Sequence, residues 1–167
     1  MTIKKTYNVL FLCTGNSARS IMAEAAMNHL PPGDAAFCAY SAGSRPSGVP
    51  HPLALDLLQR NGIATDRLRS KSWNEFATPG APTMDFIFTV CDNAAGEACP
   101  YWPGQPMTAH WGVPDPAAAQ SDDTHKRRAF LDAFLTLRHR IELFASLPID
   151  KLERLALHAH MRDIGVQ

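Results

Sequence analysis

The sequence offers little to a membrane, a nucleic acid or a nucleotide. No run of eighteen apolar residues occurs in its 167 positions, so no membrane span is expected. There is no excess of charge: sixteen Lys and Arg balance sixteen Asp and Glu. That balance leaves no electrostatic footprint for nucleic acid or an anionic membrane surface. No Gly-Lys-Ser/Thr closes a phosphate loop, and no dinucleotide fingerprint is present. Repeats and low-complexity linkers are missing. The N-terminal lysines precede only a short apolar stretch, better used as a strand than as a secretory leader, so a cytoplasmic protein of one domain is expected. Four cysteines are too few for a disulfide framework in a chain this long, which puts catalysis, redox work or metal binding first. The 46% apolar and 19% charged residues are ordinary globular values, enough for a sizeable core.

What is present is organised around Cys13-Thr14-Gly15-Asn16-Ser17-Ala18-Arg19-Ser20. The apolar run Val9–Leu12 precedes it and reads as a buried strand. Residues 21–27, rich in good helix formers, follow it. The motif is therefore the turn from a strand into a helix N-terminus. Such a loop aims several backbone N–H groups into one concavity, where the helix dipole adds its positive end. A tetrahedral oxyanion fits there, with Cys13 beneath it as a nucleophile whose thiolate is favoured by the same N–H groups and by Arg19. Gly15 and Asn16 are residue types that tolerate φ > 0. The bland alternative is a buried structural Cys and an unrelated surface Arg. It ignores the strand and helix that fall where the chemistry needs them.

The remaining elements read as an α/β domain. Residues 36–41 form a second strand, parallel to the first across the first helix, with Cys38 as a small buried apolar residue. A helix from Pro52 stops near Asn61-Gly62, and Arg67–Lys71 reads as a solvated basic stretch. Ser72-Trp73-Asn74-Glu75 has capping-box spacing and opens a brief helix. Residues 85–90 are a central strand running into Cys91, and 107–111 are a fourth strand leading to Asp115 between two prolines. In an open α/β sheet the chemistry gathers at the C-terminal strand ends. Cys13, Cys91 and Asp115 all lie at such ends. Asp115 suits a positioned general acid, although Pro-Asp-Pro is also simply a turn. From Asp122 to Leu147 a long helix carries the stripe Phe130, Phe134, Leu137, Ile141 and Phe144. After Pro148, residues Leu152, Leu155, Ala156 and Ala159 predict a second amphipathic stretch. Residues 1–147 are taken as the catalytic domain. Residues 148–167 are taken as a helical extension packed on that domain or on a dimer partner.

The motifs resemble those of arsenate reductases built on the low-molecular-weight tyrosine phosphatase fold. Besides the Cys13–Ser20 loop, Tyr40-Ser41-Ala42-Gly43, Ser70-Lys71-Ser72, Cys91-Asp92 through Cys99-Pro100, and His110-Trp111-Gly112 through Asp115-Pro116 match in order, over roughly residues 8–145. The resemblance implies an α/β three-layer sandwich with a four-stranded parallel sheet. It implies a role in arsenical resistance, with Thr14, Gly15, Asn16, Ser17, Ala18 and Arg19 binding arsenate or a phosphate-like oxyanion. Cys13 is then the nucleophile, Arg19 the clamp, Asp115 the acid, Cys91 and Cys99 the redox relay, and Ser20 a donor to the Cys13 sulfur. It further implies no tightly bound cofactor, a potassium ion near Asn16 and Glu24 in some members, and a monomer or homodimer. The implied external reductant is thioredoxin, glutaredoxin with glutathione, or mycothiol, with three cysteines favouring thioredoxin. Two features depart from the pattern: one extra residue between the relay cysteines, and the chain beyond residue 147.

Two rival readings share these residues. A tyrosine phosphatase would use the same loop and acid through a cysteinyl-phosphate. This chain, however, has Ala18 where those enzymes carry a second Cys, and Pro116–Ala119 where they carry tyrosines. A zinc site of Cys91, Cys99 and His110 lacks a common spacing and a fourth ligand. If the stretch between Cys91 and Cys99 is helical in the reduced enzyme, their Cα atoms lie about 12 Å apart. A disulfide needs about 4.4–6.8 Å. A rearrangement of residues 93–98 on oxidation is therefore expected, eased by Gly96 and Pro100.

Overall fold

The computed structural model describes residues 5–92, 94, 102–119 and 122–167. The four strands are β1 (Thr6–Leu12), β2 (Ala36–Ala42), β3 (Phe86–Thr89) and β4 (Met107–His110), and all pair in parallel in the order β2-β1-β3-β4. The helices are α1 (Arg19–Asn28), α2 (Pro52–Arg60), α3 (Asp123–Ala145) and α4 (Arg154–Ile164). Because successive strand side chains alternate between faces, Val9, Phe11 and Phe88 enter one core while Leu10, Leu12 and Ile87 enter another. α1, α2 and α3 cover the first face. The short 3₁₀ turn Trp73–Phe76 and Trp102 cover the second, which makes three layers. The fold class expected from the sequence is the one found.

Packing on the first face is largely aromatic. Phe11 and Phe88 are register partners on β1 and β3, and their rings stack at 5.8 Å. The fully buried Trp111 lies 3.7 Å from Phe88, centroid to centroid, and Phe144 meets both edge-on. All five residues of the α3 stripe are buried. Asp122 caps α3 by accepting from the His125 N–H at 2.9 Å, and Ser72 caps the 3₁₀ turn by accepting from Asn74.

Several expectations change. Lys71 is not on a solvated face: it is 7% exposed. Cys38 is only half-buried, and its thiol donates to the Tyr40 hydroxyl at 3.3 Å. The buried stripe of α4 is Leu157, Met161 and Ile164, whereas Leu155 is 85% exposed and Ala156 is exposed. The register is set by Trp111, whose indole N–H donates to the Met161 carbonyl at 2.9 Å, and by Gly165, where a Cβ would come within 2.6 Å of the His110 carbonyl. α4 thus lies against β4 and α3. Cys99 and the expected switch segment lie outside the described residues, apart from Ala94.

Candidate active site

The Cys13 loop is held from outside by its carbonyls. The N–H groups of Arg45, Ser47 and His51 donate to the carbonyls of Thr14, Gly15 and Ser17 at 2.8–2.9 Å, and the Ser70 hydroxyl reaches the Gly15 carbonyl at 3.3 Å. A trans peptide points its N–H opposite to its C=O, so fixing these carbonyls outward turns loop N–H groups inward. There Gly15 donates to the Cys13 sulfur, and Thr14 donates to the Cys91 sulfur at 3.4 Å. Asn16 takes the left-handed conformation, at φ 44°, as its type suggests; Gly15 does not. The glycine the loop depends on is Gly43, where a Cβ would lie 2.4 Å from the Thr14 carbonyl and 2.6 Å from that of Cys13. α1 begins at Arg19 with Ala18 as its N-cap, no capping side chain and no acidic residue in its first turn. Its N-terminal N–H groups and dipole therefore face the concavity unneutralised by any side chain.

Arg19 and Asp115 meet at this concavity. The Arg19 Nη1 donates to the Val113 carbonyl at 3.0 Å, and its Nη2 lies 3.7 Å from Asp115 Oδ2. Asp115 is 44% exposed and its other oxygen caps the turn at 116–118 by accepting from the Ala117 N–H at 3.0 Å. It thus serves as a turn residue and faces Arg19 at once. His51, which the sequence did not single out, caps α2 and packs tilted against the Phe130 ring, 4.7 Å between centroids. Burial pushes its pKa down, while the nearby Asp115 pulls it up.

Cys13 and Cys91 are both buried free thiols, close enough for each to shift the other's ionisation. The sequence places the thiolate on Cys13, and the structure sets beside it a second thiol whose ionisation is tied to its own. The pKa of Cys91 is lowered, first by Cys13 and then by the Ala94 and Thr14 N–H groups, which donate to its sulfur at 3.4 Å each. That of Cys13 is raised by Cys91 and by burial, against the pull of Arg19 and the Gly15 N–H. Ser20 is buried and accepts from the Asn16 side-chain amide at 2.8 Å; no bond joins it to Cys13.

The residues do not fit the implied potassium ion. The Asn16 Oδ1 accepts from the Lys71 N–H at 2.8 Å, and Glu24 Oε1 accepts from the Ser41 hydroxyl at 2.7 Å. The Lys71 ammonium stands 3.6 Å from that same Glu24 oxygen. A side-chain cation therefore already fills the cation position. Burial raises the pKa of Glu24 and lowers that of Lys71, so both shifts run against the charged forms. The fold holds this pair together, since desolvation outweighs attraction. Melting temperature is expected to be equal in potassium and sodium chloride; a potassium-specific rise would restore the metal. Lys71→Met should cost about 3–5 kcal/mol in denaturant unfolding, because it strands a buried carboxylate.

Of the zinc reading's three residues, Cys99 lies outside the described residues. His110 is bound through Nδ1 to the Thr89 hydroxyl at 2.7 Å and through Nε2 to Asp92 at 2.8 Å. Among the described residues no group of three or more His, Cys, Asp or Glu could hold a metal. Among them, too, no helix is long and apolar enough to cross a membrane.

A Cys-x5-Arg loop between a strand end and an uncapped helix, facing an Asp on a proline-bounded strap, agrees with the family comparison. Residues 8–147 match the low molecular weight phosphotyrosine protein phosphatases. The chain belongs to this family. Among curated relatives, an arsenate reductase of Halalkalibacterium halodurans is 36% identical over 82% of this chain and 94% of its own. Another, from Bacillus licheniformis, is 36% identical over 85% of this chain and 96% of its own. A solved arsenate reductase from Archaeoglobus fulgidus superposes with a TM-score of 0.58 at 25% identity, covering 80% of this chain and 98% of that one. Within the low molecular weight phosphatase fold, then, this chain is similar to reductases in sequence as well as in shape.

Proposed function

We propose that this protein reduces arsenate to arsenite. The observation that supports it most is the second thiol, Cys91, buried beneath the anion loop, where the Thr14 N–H donates to its sulfur at 3.4 Å and its ionisation is tied to that of Cys13. Hydrolysis of a phosphate ester has no use for it. The reductase relatives point the same way.

The steps follow from the chemistry of the groups. The loop N–H groups and Arg19 bind the oxyanion. Cys13 passes its proton to Cys91 and attacks arsenic, forming an S–As bond, while Asp115 protonates the departing hydroxide to water. Cys91 gives that proton to an oxygen of the bound arsenic group and, again a thiolate, attacks the Cys13 sulfur. The S–S bond forms, the S–As bond breaks with its electron pair left on arsenic, and arsenite departs. Cys99 then attacks Cys91 and frees Cys13. An external dithiol reductant of the thioredoxin kind opens the resulting Cys91–Cys99 disulfide.

Arsenite production measured with thioredoxin, with glutaredoxin plus glutathione and with mycothiol, beside hydrolysis of an aryl phosphate, tests this. Aryl phosphate turnover without arsenite under any reductant would favour the phosphatase reading. Asp115→Asn is expected to lower the arsenate kcat by about 10²–10⁴-fold. Unchanged turnover would leave Asp115 as a turn residue only.

A further inference from the structure

Arg140 is the odd charge in this core. It lies on the inner face of α3, 7% exposed, with Phe134, Leu137, Ile141 and Phe144 buried on the same helix. Its Nη1 donates to the Gly112 carbonyl at 3.1 Å. Its Nε is buried with no hydrogen-bond partner, and no carboxylate among the described residues forms an ion pair with it. Burying a cation without a counter-anion is expensive, and a Leu or Met would fill this part of the stripe at lower cost. The position calls for a use beyond packing.

That use lies in the strap from Trp111 to Asp115. The strap continues β4 beyond its last paired residue: the Trp111 N–H donates to the Thr89 carbonyl at 2.7 Å, and the Val113 N–H to the Val90 carbonyl at 3.1 Å. Its outward carbonyls are taken by two arginines in succession, Gly112 by Arg140 from α3 and Val113 by Arg19 from α1. At Gly112 itself, a Cβ would meet the His110 ring at 2.6 Å and the Asp92 carboxylate at 2.8 Å. The chain at Gly112 is therefore hemmed in by that His–Asp pair and tethered by the guanidinium. Pro114 then stiffens the last step to Asp115.

We infer that Arg140 is a positioning residue for the acid: by holding the Gly112 carbonyl it sets the path of the strap, and hence where Val113 meets Arg19 and Asp115 faces the anion loop. Arg140 touches no substrate. It acts through the strap, and the inference rests on the reading of Asp115 as the general acid. Misplacing a catalytic group by about 1 Å costs up to about 10²-fold in rate. One lost tether in a strap that keeps its other bonds should cost about tenfold.

The test is a cycle of Arg140→Gln, Asp115→Asn and the double variant, with kcat and KM for arsenate measured in each and folding checked by thermal melting. Arg140→Gln is expected to lower kcat about tenfold with KM little changed, since the loop and Arg19 still bind the oxyanion. Arg140→Lys, which returns a donor to the same carbonyl, should recover part of the loss. In the Asp115→Asn background the Arg140 substitution should cost nothing more. Losses that multiply in the double variant, a change confined to KM, or a kcat equal to wild type would each overturn the inference. If Asp115→Asn alone leaves kcat unchanged, the acid reading falls first and this inference with it. Should Arg140→Gln fail to fold, the same cycle run with Arg140→Lys must show the same non-additivity.

Discussion

Replacing Cys13 with serine is expected to abolish arsenate reduction and aryl phosphate hydrolysis together, by on the order of 10⁶-fold, the scale seen when a hydrolase loses its nucleophile. Both reactions need a thiolate at the same point, and a serine hydroxyl does not ionise there. The loop itself should persist, because its carbonyls are held by Arg45, Ser47 and His51 and its Asn16 by Lys71 and Ser20. None of those bonds involves the sulfur. Phosphate should therefore still raise the melting temperature of the variant about as much as that of the wild type. Survival of either activity would remove Cys13 from the centre of the chemistry.

Replacing Cys91 with serine should separate the two reactions. Steady-state arsenite release is expected to vanish, since the relay has lost the thiol that takes the Cys13 sulfur from arsenic. Aryl phosphate hydrolysis should survive. The thiolate itself should also move. In the wild type the two thiols ionise as a pair, with Cys91 drawn to lower pKa and Cys13 to higher. With Cys91 gone, Cys13 loses the largest influence raising its pKa and keeps Arg19 and the Gly15 N–H, which lower it. Thiolate absorbance followed against pH should show the acidic transition disappear and a later one, owned by Cys13, take its place. Intact arsenite turnover in this variant would defeat the relay.

The parts of this site that were legible in the sequence are those set by local chain. The Cys13 loop reads from eight consecutive residues because a strand, a turn and a helix start follow one another without interruption. Cys91 and Asp115 read from position alone, as residues just past parallel strands. The residues that escaped are set by contacts across the fold. Lys71 looks like one more solvated charge in Arg67–Lys71; only the bridge between Gly43 and Ser72 turns it toward Glu24. Arg140 sits in the apolar stripe of α3 with nothing local to mark it, and its partner carbonyl is 28 residues away. The tied ionisation of Cys13 and Cys91 could not be read from sequence, because the Thr14 and Ala94 donors that lower the pKa of Cys91 appear only once the fold brings it beneath the loop. In α4 two apolar registers compete within the same turns, and the indole of Trp111 decides between them by reaching for Met161.

The docking of α4 also bears on colloidal behaviour. β4 is the edge of the sheet, and a bare edge is a template on which another chain can add a strand. Here His158 engages the Thr108 carbonyl at 3.0 Å, and Arg154 engages the Gln105 carbonyl at 3.0 Å. Backbone acceptors along that border are thereby occupied by side chains of a helix, which cannot propagate a ladder. The last helix thus serves as a selvedge: it finishes the sheet where the weave would otherwise continue into a neighbour.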